Sequence, residues 1–338
     1  MVRTEFNSKV RLGFSPYTYA RVAVMKSFLF KQGDYDKILK MGANEALRFL
    51  QDTHYKKEMD DFDVSSEGIK NIEAALNVNL MRNFTKLHRI SDKNMQKVIA
   101  IYLLRYDLEN IKMILRSKFA KINMEEVEPL LYSSVNFTKD FMKILLSKNS
   151  VEEVVNSLDF LKKQKPGNNL FEVENTLDKY YLETLYDFSK NLKGQGKLVA
   201  KFLQYEIGAV NIKTIIKLKN ADVLKGDINK YLVYPSKLVM KLSTLGSIPE
   251  MIKLLHRNKY TTLTGEEKDL LTKLEIDLDV SLLKKETLLV HQSLLSANYI
   301  LGYLFAKEIE VRNLKALVKG KKLGVSGEYL EQLLVIAK

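Results

Sequence analysis

The 338-residue chain contains no cysteine, which excludes disulfides, thiolate catalysis and thiolate metal sites. Prolines number only five and glycines 15, and most fall where helices would end. Sustained period-two alternation, the mark of a half-buried strand, is missing throughout. So is any phosphate-cradling GxxxxGK(S/T) loop. The fragment Gly194-Gln195-Gly196-Lys197 lacks the first glycine spacing and the hydroxyl residue, and reads as a helix break. Neither GxSxG nor HExxH occurs. Met1 to Arg11 has no apolar core of a signal peptide. These absences leave no expected catalytic residue, cofactor or metal site.

What is present is an amphipathic, charged composition. Hydrophobic residues make up 46% and charged residues 28%, the proportions of an ordinary globular protein with a sizeable core. The net charge of +13 favours an acidic partner. Lys and Arg are nevertheless dispersed among acids, without the basic surface and interleaved aromatics of a nucleic-acid binder. Apolar residues recur at three and four: Leu80, Phe84 and Leu87, then Leu177, Tyr181 and Leu185. Thr287 to Ala306 carries no formal charge, yet His291, Gln292, Ser293, Ser296 and Asn298 argue against a membrane span. It is expected to be a core helix. The acidic run Glu58, Asp60, Asp61 and Asp63 lacks calcium-loop spacing and is expected to be a solvated loop.

One heptapeptide occurs three times. Asn110-Ile-Lys112-Met-Ile-Leu-Arg116 returns as Asn211-Ile-Lys213-Thr-Ile-Ile-Lys217 and as Asn313-Leu-Lys315-Ala-Leu-Val-Lys319, at intervals of 101 and 102 residues. That period exceeds a solenoid unit and matches a small domain. Glu73 and Glu174 each stand 37 residues before their asparagine, and Glu275 is one residue out of step. Helix breaks are expected at Gly33-Asp34-Tyr35, Asn149-Ser150-Val151 and Gly246-Ser247-Ile248. The expected fold is all-α: three similar helical domains, 1–124, 125–229 and 230–338. His88 and His291 share a repeat position that holds Ser189 in the second copy, so structural histidines are expected there rather than a metal site.

On a helical wheel Leu108, Ile111, Ile114 and Leu115 share one face, with Asn110 at its edge. That places the asparagine in a half-buried contact with a neighbouring helix. The cations at the second and sixth positions after each asparagine lie opposite. Lys112 and Arg116, Lys213 and Lys217, and Lys315 and Lys319 are thus candidate partner-binding patches, or else a solvated face.

Three segments stand out beside the repeat: Tyr17-Thr-Tyr19-Ala-Arg21-Val-Ala-Val-Met25-Lys-Ser-Phe-Leu29, Asp52-Thr53-x-Tyr55, and Leu103-Leu-Arg-Tyr106-Asp107-Leu-Glu-Asn110 running to Arg116. Together they resemble the C subunit of the archaeal and bacterial A/V-type rotary ATPases and its eukaryotic counterpart, the d subunit of the vacuolar proton pump. Gly208 and Glu310 stand where the first copy has Asp107, so a role for Asp107 would not be symmetric. The resemblance implies a funnel-shaped, pseudo-threefold, non-catalytic protein, peripheral on the cytoplasmic side of a membrane. Its implied partners are the central shaft subunits D and F and the proteolipid rotor ring, with the membrane stator a further candidate. The six cations would then form three related basic patches, some of them facing the shaft or the ring. A helical nucleic-acid binder and a helical enzyme are the competing classes.

Overall fold

The computed structural model describes residues 9–62, 69–162, 169–221, 223, 225–264, 270–292 and 296–336. Three long helices dominate: α6 (Lys93–Ala120), α12 (Gly196–Asn220) and α17 (Ala297–Lys322), each carrying one copy of the heptapeptide. Each follows another long helix: α5 (Ile69–Ile90), α11 (Leu170–Asn191) and α16 (Leu270–Gln292). The pairs α5/α6, α11/α12 and α16/α17 are antiparallel hairpins. Each long helix also packs on the preceding helix of the next copy: α6 on α11, α12 on α16, and α17 back on α5.

Shorter helices complete the body: α1 (Pro16–Ser27), α2 (Gln32–Lys40), α3 (Ala43–Gln51), α4 (Lys56–Asp61), α7 (Met124–Val127), α8 (Lys139–Leu146), α9 (Val151–Asn156), α10 (Asp159–Lys162), α13 (Lys225–Ile228), α14 (Lys237–Thr244), α15 (Ile248–Arg257) and α18 (Gly327–Leu333). Their starts follow from side chains that satisfy orphan N–H groups. Thr138, Ser150, Ser236, Ser247 and Ser326 each accept from the third residue of their helix. Asp92 accepts from both Asn94 and Met95 at the head of α6.

Most of the apolar interior is one continuous core; α12, α13, α14, α15 and α16 share a second, smaller one around Ile215, Ile228, Met251, Ile252 and Leu274. Among the described residues no helix is long and apolar enough to cross a membrane.

The body is helical, as expected of an all-α chain, with one short exception: β1 (Val10–Leu12) pairs in parallel with β2 (Leu192–Gly194). Gly194 takes a positive φ of 64°, and a Cβ there would lie 2.7 Å from the Leu12 carbonyl oxygen, so the glycine is needed for the close approach. The Gly194–Lys197 fragment therefore ends β2 and opens α12, which makes it the expected break between the two helices. Gly33 breaks nothing, since it is the second residue of α2; the break in the first copy lies at Gly42, whose N–H is taken by Glu45. Thr287 to Ala306 is not one helix, because α16 ends at Gln292 and α17 begins at Ala297. Glu58, Asp60 and Asp61 are helical, on α4, and Glu58 is buried against Arg82 at 2.9 Å and Asn79 at 2.8 Å. Asp63 and the His291 side chain lie outside the described residues. His88 is half-buried, and burial lowers its pKa.

Candidate functional site

The three asparagines do the same thing. Each is buried and reaches the backbone 22 residues ahead, with its amide donating to the carbonyl and its own carbonyl accepting the N–H. Asn211 holds Val233 at 2.8 and 3.0 Å, and Asn313 holds Val335 at 2.9 and 3.0 Å. Asn110 holds Tyr132 at 2.7 Å, with a longer return bond of 3.5 Å. The amide thus stands in for a peptide group and pins the segment that leaves the helix. The expected half-buried contact with a helix is, in the structure, a fully buried contact with a loop.

The six cations lie between copies. Arg116 pairs with Glu174 at 2.7 Å, Lys217 with Glu275 at 2.8 Å and Lys319 with Glu73 at 3.6 Å. Those acids are spaced by 101 residues each. One helical turn earlier, Lys112 pairs with Asp178 at 2.5 Å, Lys213 with Asp279 at 2.7 Å, and Lys315 donates to the Asn77 side-chain Oδ1 at 2.6 Å. The direction is cyclic: first copy to second, second to third, third to first. Burial opposes the charge of Lys112, but Asp178 and Glu109 outweigh it and raise its pKa. At Lys315 the partner is neutral, and burial lowers the pKa. These inner lysines are therefore not on a solvated face. Arg116, Lys217 and Lys319 remain 55%, 67% and 55% exposed, so their pairs stabilise by only about 0–1 kcal/mol each.

Sequence reasoning missed two further triplets. Eight residues after each asparagine stands a lysine that donates to a carbonyl at the end of the next copy's first hairpin helix. Lys118 reaches Leu146, Lys219 reaches Leu245, and Lys321 reaches both Leu39 at 2.9 Å and Met41. A cation at a helix C-terminus satisfies orphan carbonyls. Five residues before each asparagine stand Arg105, Glu206 and Glu308, and these three meet. Arg105 lies 2.7 Å from Glu206 and 3.2 Å from Glu308, and its guanidinium covers the Tyr102 ring at 4.0 Å. The Tyr102 hydroxyl donates to Glu308 at 2.5 Å. Burial raises the pKa of Glu206 against the pull of Arg105. The signal for both triplets was in the sequence: a charged residue recurs at the same offset in every copy.

Three residues before each asparagine the copies differ. Asp107 is buried and accepts from Ser134 and, at 2.9 Å, from Asn136. Burial raises its pKa to about 7 against those two donors. Glu310 is buried too, but accepts from the Phe30 N–H at 2.5 Å, Tyr55 at 2.6 Å and Lys307 at 2.7 Å. Lys307 also contacts His54 Nε2 at 2.8 Å. Burial opposes ionisation there, yet Lys307, His54 and Tyr55 together hold the pKa down at about 2. The second copy has Gly208.

Adjoining grooves flank α5. One is lined by Arg21, Phe28, Arg82, Lys86 and Lys307, the other by Arg82, Lys86, Arg89 and Lys139. Among the described residues no three His, Asp or Glu side chains gather as a metal site.

Comparison with known proteins accounts for nearly the whole chain. Residues 18–333 match the model of a family described as ATP synthase (C/AC39) subunit. The C subunit of the A-type ATP synthase of Methanosarcina acetivorans is 34% identical, and that of Methanosarcina mazei 33%; each alignment covers 98% of this chain and 96% of the relative. The corresponding A-type ATP synthase protein of Archaeoglobus fulgidus is 31% identical over 95% of this chain and 96% of its own length.

Proposed function

The chain belongs to the ATP synthase (C/AC39) subunit family, and on that premise we propose that it is a non-catalytic socket joining the D/F shaft of the soluble sector to the proteolipid rotor ring. In this reading it sits peripherally on the cytoplasmic face and couples ATP synthesis or hydrolysis to ion movement. The observation that carries the proposal is the cyclic pairing. Arg116, Lys217 and Lys319 each clasp an acid of the next copy, and the third pair returns to the first. Beneath those pairs α6 packs on α11, α12 on α16 and α17 on α5 in the same cyclic order, and a body closed by such packing resists shear between its parts, as an element loaded by torque must. The same pairing supports a pseudo-threefold, funnel-like arrangement of domains 1–124, 125–229 and 230–338, stitched across both boundaries by the Asn110 and Asn211 clamps.

The test is reconstitution of the complex with and without this chain. Without it, ATP hydrolysis should continue while ion pumping stops, and adding the chain back should restore pumping. Pumping that persists without the chain would overturn the reading. Arg116, Lys217 and Lys319 are the members of the six with enough exposure to meet a partner. Replacing all three with Gln should slow association with the shaft subunits in low salt while leaving the melting temperature nearly unchanged.

A further inference from the structure

The second copy departs from the other two where they hold a buried carboxylate, and the departure leaves a hole. Asp107 and Glu310 each secure a segment that leads into a helical hairpin. At the equivalent place Gly208 sits in the middle of a 25-residue helix. A glycine there weakens the helix relative to alanine. Its φ is not left-handed, and a Cβ built on it would meet nothing within 4 Å. Nothing among the described residues requires a glycine there.

Beside it lies a cavity of about 440 Å³ lined by Tyr186, Tyr205, Gly208, Tyr234, Tyr260 and Lys201. Tyr234 has a φ of +43°, a strained conformation for a non-glycine residue. It is fixed there next to Val233, which Asn211 clamps, and stacks on Tyr186 with centroids 3.9 Å apart. Tyr234 nevertheless stays 45% exposed, and Tyr205 37%. Lys190 lies over the Tyr186 and Tyr234 rings, and Lys285 over those of Tyr205 and Tyr260. Lys201 lines the opening, Lys285 and Lys190 sit over its rings, with Lys190 also 3.7 Å from Asp187, and no carboxylate among the described residues lines it.

We propose that the Gly208 cavity docks another subunit of the complex, taking one aromatic or long aliphatic side chain flanked by carboxylates. Four tyrosine rings supply the apolar, rigid walls that anchor a buried interface residue. The lysines select acidic flanks and fix their approach. The absent side chain at Gly208 keeps the floor open. This rests on membership of a multi-subunit ATP synthase, not on the socket role.

The test places the photo-crosslinker p-benzoylphenylalanine at Tyr234 of the full chain, in the reconstituted complex, and sequences the captured peptide. The expected peptide comes from a single partner subunit and carries an apolar side chain within two or three residues of Asp or Glu. Capture of lipid, of a second copy of this chain, or of no polypeptide would overturn the proposal. So would capture of a peptide without acids. In parallel, Gly208→Ala should raise the melting temperature of the isolated chain. Gly208→Leu, which fills the floor, should melt no lower than wild type yet lose at least tenfold in affinity for the captured partner. A Gly208→Leu chain that binds as wild type would sink the docking role. If pumping proved independent of this chain, the socket reading would fall, and the cross-link would still decide the docking site.

Discussion

Asp107 and Glu310 occupy one repeat position and solve it with opposite chemistry. Asp107 secures Asn136, 29 residues ahead on the same continuous stretch of chain. Neutral donors suffice, and the carboxyl is left with a pKa of about 7. Glu310 secures Phe30, 280 residues away, where no nearby link holds the parts together. There the anchor is ionic and buried, with Lys307, Tyr55 and His54 converging and a pKa of about 2. The difference teaches that one repeat position needs different glue where the chain supplies a tether and where it does not. Closing a longer loop costs more entropy, and direct contacts must offset it.

The sharpest way to break this contrast is Lys307→Met. It strands Glu310 as a buried charge without its cation, and should cost about 3–5 kcal/mol in urea unfolding. The double change of Lys307 and Glu310 to Met should recover much of that loss, which separates an unpaired charge from lost packing.

The pH response comes next. Glu310 has a depressed pKa, so its contribution is complete above the usual value of 4.5 and disappears as pH falls towards 2. Asp107 runs the other way. Its folded form holds a proton that the unfolded form gives up near 3.8, so its contribution is greatest below pH 4 and declines up to about 7. That decline should be on the order of 3 kcal/mol. Asp107→Asn should flatten unfolding free energies between pH 4 and 7 and leave the acid limb due to Glu310 intact. A variant with the slope of wild type in that window would show that Asp107 is ionised in the fold.

The asparagine clamps should give smaller effects. Asn211→Ala leaves the Val233 N–H and carbonyl without partners and should cost about 1–3 kcal/mol. Asn110→Ala should cost less, since its return bond is 3.5 Å. Smallest of all, Lys217→Gln removes one exposed pair and should shift stability by under about 1 kcal/mol.

How much of this was legible depended on how many sides of a helix are covered. The triplet Asn110, Asn211 and Asn313, and the burial of Leu108, Ile111, Ile114 and Leu115, could be read from spacing alone. The same wheel sent Lys112 to solvent, because it assumes one covered face. The long helices are covered on two, by their own hairpin partner and by the next copy, and Lys112 is only 5% exposed. Glu58 misled for a similar reason, since its burial depends on Arg82 and Asn79 from another helix. The β1/β2 pair is three residues long and joins positions 182 apart, with no local pattern to announce it. Gly208 was visible as a departure from Asp107, but the tyrosines around it come from separate segments and meet only in the fold.

The Glu310 anchor also dictates an order of events during synthesis. Tyr55 leaves the ribosome 255 residues before the carboxylate it will hold. At about 5–20 residues per second that is a wait of about 13–50 s. Through that interval α2, α3 and α5 lack α17, against which α3 and α5 pack, and α18, against which α2 packs. The contact between the third copy and the first is therefore the last to form. A ribosome stalled before residue 297 would present a chain whose first hairpin is still open to proteases and to chaperones, while the contact of α6 with α11 is already complete.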